Sequence, residues 1–262
     1  MTLMAEGVWS ADFSYAYLTR IFLALKARRM VRRFCDAPAV LEEQGSPAVF
    51  LRHDLDVDLG AALRMARLEE SLGIQATYMV MPSARLYPVS SPDSVNVLKQ
   101  IRDAGHEIGV HVDYEASPAN AGFSDALTQA CGLVGGLLPE PVRSFSVHRP
   151  VPEALRGPLI VAGCVNAYAA PLMESYLSDS AGVWRAGEPL AAIGEMHGPV
   201  LQVLIHPIWW GPEHAPAAER LEDYRRERLR MDRTLDPAAL DEDLRCTVPR
   251  VFQGATASSN RA

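Results

Sequence analysis

The sequence is short of positive charge, of paired cysteines and of long apolar runs, and each shortage removes a class of function. Lys and Arg number 25 against 32 Asp and Glu, a net charge of −7. A phosphate backbone repels such a surface on average, so nucleic acid is not an expected partner. The densest basic run, Arg225-Arg226-Glu227-Arg228-Leu229-Arg230, sits in a mixed-charge segment and reads as a solvated helix face. No apolar run approaches the roughly 20 residues of a membrane span. Residues Met1 to Glu6 lack a basic stretch leading into an apolar one, so a cytoplasmic location is expected. The four cysteines, Cys35, Cys131, Cys164 and Cys246, form no CxxC pair and read as buried, reduced thiols. There is no GxxxxGKS/T phosphate loop, no GxGxxG turn and no GxSxG elbow, which removes the common nucleotide cradles and the serine-hydrolase nucleophile.

What is there is an ordinary globular composition, 48% hydrophobic and 22% charged, which excludes a largely disordered chain. At 262 residues the length fits one α/β barrel, which reaches about 250 residues as a unit. Apolar β-rich runs alternate with helical periodicity. Strands are expected at 48–51 running into 52–56, at 76–81, 106–112, 142–147, 165–168 and 200–205. Helices are expected at 14–34, 59–72 with Gly73 as the stop, from Ser91-Pro92-Asp93 to Gly105, at 123–137 and at 216–231. Parallel strands need helical crossovers, so the reading is α/β: a single distorted (β/α) barrel of about seven parallel strands. One catalytic domain spans 1–262, with a core at about 46–210, an N-terminal helix at 14–34, and a C-terminal helix and tail at 211–262. The end of the tail, from Gly254 to Ala262, reads as disordered.

Chemistry in such a fold collects at the C-terminal ends of the strands, and four polar clusters fall there. In Arg52-His53-Asp54-Leu55-Asp56-Val57-Asp58, period-two alternation puts Arg52, Asp54 and Asp56 on one face. Two carboxylates so close need a positive partner, and either a metal ion or Arg52 serves. If only one carboxylate binds the metal, the other is free as a general base. A plain alternative is a solvated loop with Asp58 capping the next helix. In His106 to Glu115, His106 and His111 face opposite sides, whereas His111, Asp113 and Glu115 share a face if the strand continues. A lone His there is either a hydrogen-bonded core residue or a ligand. Ser144 to Pro150 delivers His148, a further candidate ligand, and Arg149, which either orients a carboxylate with its forked donors or makes a surface ion pair. Val203 to Trp210 delivers His206, able to protonate a leaving group, followed by Trp209 and Trp210. Tryptophan faces suit a sugar ring, and paired aromatics also serve as core or lid.

These clusters, in this order, resemble the polysaccharide deacetylase superfamily (NodB-homology, carbohydrate esterase family 4) over roughly residues 46–210. The matching stretches are Arg52-His53-Asp54-Leu55-Asp56, Gly105-His106-Glu107-Ile108-Gly109-Val110-His111, His148-Arg149-Pro150 and Leu204-Ile205-His206-Pro207. A looser likeness covers Tyr176-Leu177-Ser178-Asp179-Ser180 with Trp184-Arg185. The forms are most similar to the polysaccharide deacetylase-like branch found in bacterial surface-glycan gene sets. The resemblance implies a distorted barrel and metal-dependent removal of an N-acyl group, acetyl or formyl, from an amino sugar or small glycan precursor. It implies a divalent metal, zinc by preference, held by Asp56 and His111. Asp54 would be the base, Arg149 would orient Asp54, and His206 would protonate the departing amine. Arg52, Trp209 and Trp210 are the expected substrate contacts.

One position departs from the pattern. The family places a second His four residues after the first ligand, and here that position is Glu115. His148 is the first choice for third ligand, with Asp113 and Glu115 as alternatives. The rival reading is a catalytically degenerate barrel that binds a glycan or a partner protein. A small amino-sugar substrate is the expected partner of the enzyme reading.

Overall fold

The structure is a computed structural model that describes residues 8–43, 47–116 and 122–252. The expectation for the tail from Gly254 lies outside them. In chain order the elements are α1 (Tyr15–Arg28), β1 (Met30–Arg32), α2 (Ala37–Glu42), β2 (Ala48–Leu55), α3 (Leu59–Ser71), β3 (Thr77–Val80), α4 (Pro92–Asp103), β4 (Glu107–Val112), α5 (Phe123–Leu137), β5 (Ser144–Val147), α6 (Pro152–Leu155), β6 (Ile160–Val161), β7 (Cys164–Asn166), β8 (Tyr176–Ser178), α7 (Pro189–Glu195), β9 (Val200–Ile205), α8 (Ala217–Met231) and α9 (Pro237–Thr247).

The expected N-terminal helix over 14–34 is too long. Ser14 caps α1 by accepting from the Tyr17 N–H, and the helix buries Tyr17, Leu18, Ile21, Phe22 and Leu25. It stops at Arg28 because Arg29 turns extended (φ −147°), held by donation from its guanidinium to the carbonyls of Met196 and Gly198 (2.8 and 2.6 Å). Met30–Arg32 then pairs in parallel with the first half of β2. The other expected helices and strands appear with small shifts at their ends. Asp58 caps α3 by accepting from the Gly60 N–H, and Gly73 (φ +64°) ends that helix as expected. Of the cysteines only Cys164 is buried. Cys35, in a 3-10 helix, and Cys131 and Cys246, within α5 and α9, are only partly buried, against the expectation.

All nine strands join one sheet in the order β6, β7, β5, β4, β3, β2, β9, β8, with β1 alongside β2. Every pairing is parallel except the short β6–β7 hairpin. The sheet curls into an open, distorted (β/α) barrel. Gln202 on β9 donates from Nε2 to the carbonyl of Ala167, just after β7, at 2.8 Å, although four strands separate β7 from β9 in the sheet. About seven strands are expected and six of them are placed along the sequence; the described residues hold nine, the three unplaced ones, β1, β6 and β8, being three residues or fewer, too short for a period-two signal.

All eight residues of β2 are buried, so both faces are covered. Val49, Leu51 and Leu55 pack in the large core with Leu18, Phe22, Met65 and Leu98 of the surrounding helices. Ala48 and Phe50 belong to a separate cluster inside the barrel, with Met79, Val165, Leu172 and Val200. Next to that apolar floor sits a buried carboxylate. Glu107 accepts from the Cys35 N–H (2.9 Å), Thr77 Oγ1 (2.7 Å) and Ser144 Oγ (2.8 Å). The barrel is tight here: a Cβ on Gly109 would lie 2.5 Å from Met79 Sδ and 2.6 Å from Ser144 Oγ. Removing this carboxyl group orphans two buried hydroxyl donors and the part-buried Cys35 N–H, each costly. Glu107→Ala should lower the unfolding free energy by about 2–4 kcal/mol, read from denaturant midpoints. A loss under about 1 kcal/mol would mean that Glu107 does not hold the barrel together.

Candidate metal centre and active site

The polar residues of the inner face gather where the parallel strands end. Arg52 and Asp54 follow Phe50 on the same side of β2, and Arg52 Nη2 donates to Asp54 Oδ2 at 3.3 Å. Both are almost fully buried. The same nitrogen reaches the hydroxyl of Tyr168 at 3.2 Å, and the guanidinium carbon stands 4.9 Å from that ring's centroid. Burial raises the Asp54 pKa, but Arg52, His111 and His206 outweigh it, and the net shift is downward. Asp54 is therefore an ionised carboxylate.

Two residues on, just past the end of β2, Asp56 meets imidazoles. Its Oδ1 lies 3.1 Å from His111 Nε2 and 3.4 Å from His148 Nδ1. The three ligand atoms lie within 4.8 Å of one another. Asp56 Oδ1 is buried yet has no hydrogen-bond partner of acceptable geometry. A tetrahedral ion at about 2.1 Å holds its ligand atoms roughly 3.4 Å apart. An orphaned carboxylate oxygen flanked by two imidazole nitrogens at that spacing fits a divalent cation. Desolvation works against the Asp56 charge, but the two imidazoles hold its pKa well below the usual carboxylate range.

A relay through Ser146 fixes the tautomer of His111. Ser146 Oγ donates to Asp54 Oδ1 at 3.0 Å and lies 2.7 Å from His111 Nδ1. A hydroxyl has one proton to give. Since Asp54 takes it, His111 donates from Nδ1 and keeps the Nε2 lone pair for the cluster, the usual arrangement of a metal-binding imidazole.

His206 completes the site from the end of β9. Its Nδ1 donates to Asp179 Oδ1 at 2.7 Å, leaving Nε2 at 3.8 Å from Asp56 Oδ2. Asp179 is fully buried. It also accepts from the His206 backbone N–H at 3.0 Å and from Trp210 Nε1 at 2.8 Å. Burial disfavours the imidazolium, but Asp179, with Asp56 and Asp54 behind it, pushes the His206 pKa up to about 9.

These groups line a cavity of about 850 Å³. Asp54, Asp56, His111, His148, Arg149, His206, Arg52 and Trp209 all border it, so the structure gathers eight of the nine expected site residues. Three expectations need correction. Arg149 does not reach Asp54; it pairs with Glu115 and donates to the Cys246 carbonyl at 2.9 Å, while Arg52 fills that place. Trp210 does not border the cavity; it packs against Phe13 at a tilt and donates to Asp179. Glu115 and Asp113 are not in the cluster, because β4 ends at Val112 and Tyr114–Ala116 turns into a 3-10 helix. His106 does face away from His111, accepting from the Ala76 N–H among buried groups behind the sheet. The sequence reading passed over Ser146 and Asp179 as site residues. Ser144 and Ser146 alternate with Phe145 and Val147, the available signal for an inward polar pair.

Among solved structures, the chain is similar to a CE4 family pseudoenzyme from Bacillus anthracis, at 14% identity and a TM-score of 0.41 over 70% of this chain and 60% of that one. A mutant of that pseudoenzyme with restored enzymatic activity aligns at 14% identity and 0.40, over 70% and 62%. A family 4 carbohydrate esterase from Bacillus anthracis aligns at 13% identity and 0.38, over 92% of this chain and 100% of that one. The chain thus spans less than two thirds of the pseudoenzyme's length. No family model and no curated protein matches the sequence.

Two predictions follow from this geometry. Dialysed against zinc, the protein should retain about one equivalent by plasma mass spectrometry. Asp56→Ala and His148→Ala should lose it, Glu115→Ala should keep it, and Ser146→Ala should weaken affinity roughly 10–100-fold. Retention by His148→Ala with loss in Glu115→Ala would reverse the ligand assignment. In metal-stripped protein, an NMR titration should give His206 a pKa of about 9, and Asp179→Asn should lower it. The folded value lies above that of the unfolded chain, about 6.5. This contribution to stability is complete below pH 6.5 and fades as the pH rises through 9. An unchanged His206 titration in Asp179→Asn would remove Asp179 as the cause.

Proposed function

We propose that the protein is a metal-dependent amide hydrolase that removes an N-acyl group, acetyl or formyl, from an amino sugar or small glycan precursor. The observation that carries this reading is the division of labour between Asp54 and Asp56. They lie two residues apart on one strand end, yet Asp56 Oδ1 sits between His111 Nε2 and His148 Nδ1, whereas Asp54 comes to 3.7 Å from His111 Nδ1, the nitrogen turned away from the cluster. Asp54 stays ionised beside Arg52 and Ser146, free to act as a base.

Asp56, His111 and His148 would hold the ion, with zinc preferred by this donor set of two imidazoles and one carboxylate. Such an ion supplies Lewis acidity toward an amide carbonyl and toward water. The chain's own residues move the protons. Asp54 takes a proton from the attacking water, and Arg52 and Ser146 hold its oxygens in place. His206, protonated and aimed by Asp179, delivers a proton from Nε2 to the departing amine. An amide needs that donor because an unprotonated amine leaves poorly. Trp209 borders the cavity but is 2% exposed, so it shapes the cavity wall. The motif resemblance supplies the substrate class.

The test is turnover of N-acetylated and N-formylated amino sugars by zinc-loaded protein. Asp54→Asn should reduce kcat by about 10²–10⁴-fold while the zinc content stays at one equivalent. Full activity in that variant would mean that Asp54 is not the base. Zinc-free wild-type protein that still bound glycans would favour the degenerate-barrel reading instead.

A further inference from the structure

The chain carries seven more acids than bases, yet its cavity is bordered by four arginines and two aspartates: Arg52, Arg149, Arg185, Arg250, Asp54 and Asp56. The inner charges are answered locally. Arg52 meets Asp54, and Asp56 meets His111 and His148. Arg149 is answered by Glu115. Arg185 and Arg250 are exposed, and neither has a carboxylate partner among the described residues.

Both side chains spring from anchored backbone in distant parts of the chain. Arg185 follows Trp184, which is 1% exposed and exchanges two backbone hydrogen bonds with Trp9 at 2.8 and 2.9 Å. One of its own guanidinium nitrogens donates to the Ser180 carbonyl at 3.3 Å. Arg250 follows the end of α9, where Thr247, Val248 and Pro249 form part of the cavity wall. Arg149 ties that wall to the end of β5 through the Cys246 carbonyl. Elsewhere on this surface some arginines sit against acids, as with Arg226 and Asp223 or Arg230 and Glu227, and others such as Arg156 and Arg233 are exposed without one among the described residues; what sets Arg185 and Arg250 apart is that they border the cavity. Two uncompensated guanidinium groups on one cavity of an acidic protein are a local reversal of sign.

We infer that the sugar turned over here carries a phosphate group, and that Arg185 and Arg250 receive it at the cavity mouth while the N-acyl group reaches Asp54 and His206. The inference rests on the hydrolase reading for the second half of that statement only. Two guanidinium groups match the roughly −1.5 to −2 charge of a phosphate monoester, and their forked donors fit its oxygens. A neutral sugar gives neither arginine a partner.

The probes are the 1- and 6-phosphates of N-acetylglucosamine and N-acetylgalactosamine, each compared with its parent sugar on the full, zinc-loaded chain. Binding is read by calorimetry and turnover by amine release. At least one phosphate should bind 10-fold or more tightly than its parent, with a correspondingly lower KM, and the preference should shrink as salt is raised. The double variant Arg185→Gln/Arg250→Gln should bring the Kd of that phosphate to within about twofold of its parent, with zinc content unchanged. Should the phosphates bind wild type but not the double variant while no sugar is hydrolysed, the anion site stands and the hydrolase reading falls. Hydrolysis of parent and phosphate with equal KM leaves the hydrolase reading intact and overturns the anion site. Equal binding of phosphate and parent, or a preference that survives in the double variant, also overturns it.

Discussion

A carboxylate buried inside a parallel barrel is tolerable only when every oxygen meets a donor or a cation. Asp54 satisfies that condition through Arg52 on one oxygen and Ser146 on the other, and much of the site depends on the arrangement. Arg52 is drawn into the barrel by Asp54 and in turn engages Tyr168, whose hydroxyl also takes the Val147 N–H and donates to the Val147 carbonyl. That pins the end of β5, where His148 begins. Ser146, having spent its proton on Asp54, must accept from His111. One ion pair therefore fixes the tautomer of one cluster imidazole and helps to place the other.

The same strand pattern made much of this readable in advance. Alternation along β2 puts Arg52, Asp54 and Asp56 on one face, and the strand-end rule finds His111, His148 and His206. Arg149 was misplaced for an instructive reason. The resemblance to a known family assigned it to Asp54, whereas the spacing of Arg52, two residues from Asp54 on the same face, already placed a guanidinium beside that carboxylate. Asp179 escaped for a different reason. It follows a strand of three residues, too short to reveal which way its side chains alternate, and its partners His206 and Trp210 are 27 and 31 residues away.

The His106-Glu107 pair shows how a motif can mix two jobs. Glu107 lies inside the barrel and binds Cys35, Thr77 and Ser144, away from the cavity. His106 lies behind the sheet, where Glu69 also joins His53 and Tyr78 at 2.8 and 2.6 Å. Within this stretch only His111 faces the chemistry. The first residues set the depth and direction of β4, and Gly109 lets the strand pass Ser144 closely enough for His111 to meet Ser146.

Identical side chains two residues apart thus acquire different chemistry from their neighbours. Asp56 faces two imidazoles, so its negative charge is best used in joining them around a cation. Asp54 faces a guanidinium that cannot give up its proton at ordinary pH and a hydroxyl that donates its only one. Neither neighbour competes for the proton Asp54 would accept, and both hold it still. Exchanging the two environments would place a permanent cation beside the ion site and leave the base between two imidazoles. The order of residues along β2, with Arg52 preceding Asp54 and Asp56 lying last at the strand's end, is therefore what separates proton transfer from metal binding.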